Sequence, residues 1–71
     1  MEMHLKAARV NANLTQGEVC ERLAEYGFKT VKSTLVKWEQ EKTFPPVPQF
    51  KALCRIYGCA MNDIIVPQKQ L

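Results

Sequence analysis

Apolar residues recur along this chain in short clusters of helical spacing, separated by residues that favour turns. Leu5 and Ala8, with Leu14 beyond a turn, predict a first helix from about Met3 to Val10, ended at Asn11-Ala12-Asn13. Thr15-Gln16-Gly17-Glu18 has the form of a capping box, in which a threonine hydroxyl accepts from the N3 amide and a glutamate carboxylate reaches back to the threonine amide. A second helix should start there. Val19, Cys20, Leu23 and Ala24 form its apolar stripe, and Gly27 stands where a left-handed cap would follow, so this helix is expected from about Gln16 to Tyr26.

Thr30 is placed to cap a third helix with Val31, Leu35 and Trp38 buried and Lys32, Ser33, Val36 and Lys37 projecting elsewhere. The run Phe44-Pro45-Pro46-Val47-Pro48 lacks the amide donors of a helix interior and reads as a connector. Phe50, Leu53, Cys54 and Tyr57 then mark a fourth helix, starting near Pro48 and closed by Gly58. A short fifth turn is expected around Met61 to Ile65, before Pro67. The pattern contains no strand and no internal repeat, and predicts an all-α fold.

Length makes this one domain over residues 1–71, since a chain this short buries only about 60 % of the surface its unfolded form exposes. Its hydrophobic share, 46 %, is ordinary, and the longest purely apolar run at the C-terminal end, Ile64 to Val66, is far too short for a bilayer. The first residues carry neither a basic n-region nor an apolar h-region, so a cytoplasmic location is expected and no membrane partner. Cys20, Cys54 and Cys59 have no CxxC spacing and read as reduced, buried thiols; no metal site is expected.

A net charge of +3 permits an anionic partner, but its distribution says more. Lys29 to Lys37 holds three lysines and no acid, whereas Glu18 to Glu25 holds three acids and one arginine. The basic segment coincides with the third helix, whose outer face becomes a candidate phosphate-facing surface. One histidine, His4, reads as a surface residue, and no Ser/His/Asp set or glycine-rich phosphate loop is present, so no enzyme activity, cofactor or small-molecule substrate is expected.

In Leu5-Lys6-Ala7-Ala8-Arg9, Leu14-Thr15-Gln16, Ser33-Thr34-Leu35-Val36-Lys37-Trp38-Glu39 and Leu53-Cys54-Arg55-Ile56-Tyr57-Gly58 the chain resembles the phage-repressor/Cro-like helix-turn-helix family, from about Leu5 to Ile65. The resemblance implies a compact five-helix, lambda-repressor-like DNA-binding domain whose third helix enters the major groove of double-stranded DNA. It implies base reading by Lys32, Ser33 and Lys37, and pairs Arg9 with Glu39 as a structural ion pair that fixes the recognition helix against helix one. Val36 is a candidate for a thymine methyl. For Gln16 the resemblance implies a phosphate contact, and Thr15, Thr34 and Lys42 are further candidates for phosphate. The implied function is a small phage- or prophage-like transcriptional regulator, a repressor acting as a homodimer on a symmetric operator.

Two positions depart from the family pattern. The stretch from Thr15 to Trp38 exceeds the compact motif, which places extra length in helix two or its turn at Ala24 to Lys29. After Trp38-Glu39 the family often has glycine, whereas Gln40-Glu41-Lys42 follows here, and Glu41 would repel a nearby phosphate unless it turns away. A competing reading is an antirepressor- or antitoxin-like protein-interaction module that uses Phe28, Phe44 and the Ile64-Ile65-Val66 end. The same apolar end is the candidate for self-association.

Overall fold

The computed structural model describes residues 2–66 and is all-helical, with four α-helices. They are α1 (Leu5–Asn11), α2 (Gln16–Glu25), α3 (Lys32–Glu39) and α4 (Val47–Tyr57), followed by a single 3-10 turn at Met61–Asp63. The expected fifth helix is thus one 3-10 turn, and Pro67, expected just beyond it, lies outside the described residues. No strand occurs among the described residues, although Met3 and Ile64 form an isolated parallel bridge. Met3 N–H donates to Asp63 O at 2.8 Å and Ile65 N–H to Met3 O at 2.8 Å. Met3 is therefore spent on joining the two ends of the domain, and α1 starts at Leu5. Among the described residues no helix is long and apolar enough to cross a membrane.

The capping box at Thr15 forms as its sequence predicts: Glu18 N–H donates to Thr15 Oγ1 at 3.1 Å, and Thr15 N–H to Glu18 Oε1 at 2.8 Å. The two bonds, backbone first, hold the Glu18 carboxyl below its ordinary pKa of 4.5. Thr30, by contrast, does not cap α3. That position belongs to Val31, which has no side-chain bond to offer, while the Thr30 hydroxyl donates to Phe28 O at 3.2 Å. Val31, expected in the core, is 59 % exposed because the cap lies outside the helix and its side chain precedes the buried stripe.

All four helices end in the same way, each with one residue in the left-handed region. These residues are Asn13 (φ 59°), Gly27 (φ 90°), Glu41 (φ 62°) and Gly58 (φ 73°). After α2, Gly27 N–H donates to Ala24 O at 2.9 Å and Phe28 N–H to Leu23 O at 2.9 Å, the pair of bonds of a Schellman motif. After α4, Gly58 N–H meets Arg55 O and Cys59 N–H meets Cys54 O in the same register. Glu41 N–H to Trp38 O and Lys42 N–H to Lys37 O repeat the arrangement at the end of α3. The extra length at Ala24 to Lys29 is absorbed by α2 running on to Glu25 and by the turn at Tyr26 and Gly27, with helix order intact.

Leu5 and Ala8 of α1, Val19 and Leu23 of α2, Leu35 and Trp38 of α3, Phe50, Leu53, Cys54 and Tyr57 of α4, and Ile64 make one core. Val19, Leu23, Leu35 and Leu53 are fully buried at its centre. The connector takes part: Phe44 packs edge-on against Phe50, ring centres 5.0 Å apart, and Pro45 is buried. Pro48 sits in the first turn of α4, where a missing amide costs no helical bond. Of the three cysteines only Cys54 is buried; Cys20 and Cys59 are half-buried, and all three are free thiols. Burial, aided by nearby Cys59 and Asp63, pushes the Cys54 thiol up to about 12.

Candidate nucleic-acid interface

α3 turns Leu35 and Trp38 into the core and leaves Lys32, Ser33, Lys37 and Gln40 exposed, with Val36 half-buried beside them. At about 100° per residue, Ser33, Lys37 and Gln40 share one face and Lys32 lies at its edge, toward α2. Lys32 is near enough to Cys20 of α2 for its charge to oppose the burial that raises the Cys20 thiol. The exposed arc of α3 presents two ammonium groups, a hydroxyl and a carboxamide and carries no acid.

The end of this helix is tied to the rest of the fold through Glu39. Arg9 of α1 donates from Nε to Glu39 Oε2 at 2.6 Å and from Nη2 to Oε1 at 3.2 Å, a two-bond pairing of guanidinium and carboxylate. Nη1 donates to Leu14 O at 2.9 Å, which ties the α1–α2 turn into the same cluster. The side chains are 13 % and 4 % exposed, so solvent screens the pair weakly. The bonds to Glu39 raise the Arg9 pKa further above its usual value.

Gln16 joins the cluster, its Nε2 donating to Glu39 Oε1 at 3.0 Å. Its role in the fold was not legible in the sequence, because nothing in a glutamine after a cap announces a carboxylate that becomes its neighbour only on folding. One amide hydrogen and the amide oxygen of Gln16 remain for another partner. Thr15, beside it, is exposed, with its hydroxyl oxygen and amide engaged in the capping box. The Tyr57 hydroxyl is buried with no hydrogen-bond partner among the described residues. Burial first, and the Glu39 charge second, push its pKa well above the ordinary 10.0.

Glu41 and His4 form a contact that the sequence did not suggest: Glu41 Oε2 meets His4 Nδ1. The carboxylate that could repel phosphate beyond α3 is thereby engaged with the residue before α1, and His4 is exposed, as expected. Lys42 follows it, exposed. Thr34 lies apart from the arc. It is half-buried and lines a cleft with Lys29, Thr30, Trp38, Pro46 and Gln49.

The apolar end named for self-association or protein docking is largely consumed by the fold. Ile64 is buried in the core, Ile65, Phe28 and Phe44 are half-buried, and Val66 is exposed. In comparisons with protein-family models, with curated proteins and with solved structures, nothing matched the chain.

Proposed function

We propose that this chain binds double-stranded DNA sequence-specifically and serves as a small transcriptional regulator, a repressor of the phage-repressor/Cro-like kind, with α3 as the recognition helix. The observation that carries this reading is the exposed, acid-free arc of α3 bearing Lys32, Ser33 and Lys37, on a helix anchored at its far end by Arg9, Gln16 and Glu39. A rigidly held helix with donors on its outer face suits the major groove, where lysine donates to guanine O6 and N7 and serine donates or accepts. Val36, half-buried between Lys32 and Gln40 on that arc, is the candidate for a thymine methyl.

Phosphate contacts fall to Thr15 and Gln16 at the start of α2, to Thr34, and to Lys42 beyond α3. Short recognition helices give limited specific affinity singly, so two copies on a symmetric site about one DNA turn apart are part of the proposal. Selection of duplexes from a random pool, followed by an electrophoretic shift on the winners and on the region upstream of the chain's own gene, tests it. Enrichment of a common, two-fold symmetric site supports the reading; recovery of the unselected pool sinks it.

A further inference from the structure

Two cysteines occupy the paired positions of the turn that closes α4. Cys54 lies in the last turn of the helix, Gly58 follows it in the left-handed region (φ 73°), and Cys59 comes next. Gly58 N–H donates to Arg55 O at 3.3 Å and Cys59 N–H to Cys54 O at 3.0 Å. In this motif the two residues joined by the outer bond commonly bring their side chains together. Here both carry a thiol. Cys54 is 4 % exposed in the core, and Cys59 packs against that core half-buried.

A backbone bond of 3.0 Å between the two residues keeps their Cα atoms within about 7 Å of each other, the outer limit of what a disulfide spans. The thiols also act on one another: after burial itself, the Cys59 charge and a side-chain hydrogen bond with Cys59 raise the Cys54 thiol. The spacing is not that of a CxxC motif, and only the reversal of the chain at Gly58 makes the pair.

We propose that Cys54 and Cys59 form a reversible disulfide site, oxidised by small-molecule disulfides, that fastens the end of α4 to the segment joining the two ends of the domain. This site stands apart from the DNA-binding reading above. Cys59, the more exposed thiol, meets the oxidant: its thiolate attacks one sulfur of the small disulfide, whose S–S bond breaks to release one thiolate. Burial keeps Cys54 from outside reagents, so it resolves the mixed disulfide. Its sulfur attacks that of Cys59 and expels the second thiolate. The two cysteines are thereby oxidised, the small disulfide is reduced to two thiols, and these take up the two cysteine protons.

Just beyond Cys59, Ala60 N–H donates to Asp63 Oδ2 at 3.1 Å, and Asp63 O accepts from Met3 N–H at 2.8 Å. A bridge at Cys59 restrains the chain where it leads into this junction and removes conformations from the unfolded chain, so the oxidised domain is the more stable form.

The test uses the full chain with Cys20→Ser, which leaves only the two thiols of the pair. The folded protein is incubated with glutathione disulfide, alkylated and weighed by mass spectrometry. Loss of two hydrogens with no glutathione retained is expected, reversed by dithiothreitol. Trypsin cuts after Lys51 and Arg55, so the bridge is read as a covalent link between the peptides Ala52–Arg55 and Ile56–Lys69. The parent chain, with Cys20 present, should give the same link. In the Cys20→Ser background, Cys54→Ala is expected to keep glutathione on Cys59, and Cys59→Ser to leave Cys54 unmodified. The oxidised protein should retain its helical circular dichroism and melt several degrees above the reduced one.

A glutathione adduct that persists on Cys59 beside an intact Cys54, or a bridge that forms only in denaturant, overturns the proposal. So does a link from Cys20 in place of the Cys54–Cys59 link in the parent chain, or a lower melting temperature after oxidation.

Discussion

At the scale of single residues, the most consequential side chain is the Glu39 carboxylate, 4 % exposed and met by three donors from Arg9 and Gln16. A buried carboxylate stripped of its guanidinium loses far more than a surface ion pair would, because the remaining charge is left without compensation. Arg9→Ala is therefore expected to destabilise the domain by about 3 kcal/mol. Glu39→Ala should have a similar sign, and both should lower the melting temperature before they change sequence preference. Selective loss of binding to a selected duplex at parental stability would move the affected residue to the proposed interface.

The left-handed residues give a second expectation. Nothing crowds an added Cβ at Gly27, so Gly27→Ala should cost only the backbone strain of a left-handed L-residue, about 1 kcal/mol. Glu41 already bears that strain, so Glu41→Gly should relieve it and outweigh the exposed contact with His4, for a net gain of about 0.5 kcal/mol. Denaturant midpoints of the two variants should move in opposite directions.

Among elements, α2 and α3 differ in how they begin, and the difference is measurable. The α2 start has both bonds of a capping box, whereas Val31 leaves the first amides of α3 without a side-chain acceptor. Thr15→Ala should cost about 1 kcal/mol of stability, and Val31→Ser should add about 0.5–1 kcal/mol, since the valine is 59 % exposed and little burial is lost. Chemical denaturation checks both, and a destabilised Val31→Ser would mean that the valine packs where the structure shows it open. An uncapped, acid-free start also keeps the basic character of α3 undiluted, which a carboxylate cap would not.

For the whole molecule, α4 carries a pH dependence. Cys54 is raised from an ordinary 9.0 to about 12, and Tyr57 is raised from 10.0, each mainly by burial. A group whose pKa is higher folded than unfolded favours the folded state fully below its unfolded pKa, and that contribution is lost as pH rises through the folded value. Stability should hold up to about pH 9 on this account and fall progressively toward pH 12, with a shallower decline in Cys54→Ala, in which the raised Cys20 and Tyr57 still contribute. Thermal melts across that range test it.

The proposed interface makes a prediction at the same scale. Lys32→Ala or Lys37→Ala should cost about 1–3 kcal/mol on a preferred duplex and relax preference at the base pair read. Lys42→Ala should weaken binding to all sequences alike and lower the salt slope by about one unit. Equal losses on preferred and random duplexes for Lys32 and Lys37 would assign them to phosphate alone.

What the sequence determined by itself was local: helix starts and stops written in neighbouring residues, such as Thr15 with Glu18, Gly27, and Gly58, and the stripes of Leu23, Leu35 and Leu53 that had to meet. Capping and periodicity act over a few residues, so their signals survive in a one-dimensional reading. Where two local options competed, the reading failed. Thr30 has the chemistry of a cap, but its hydroxyl turns back to Phe28 O, and the helix begins one residue later at an exposed valine.

Only the tertiary structure decided that Gln16 meets Glu39, that Glu41 turns to His4, and that Lys29, Thr34 and Gln49 line one cleft. Those pairings join residues far apart in the chain, and they exist because burial of the shared core packs both α1 and α2 against α3 and against α4. Partners set by that packing leave no periodic trace in the sequence.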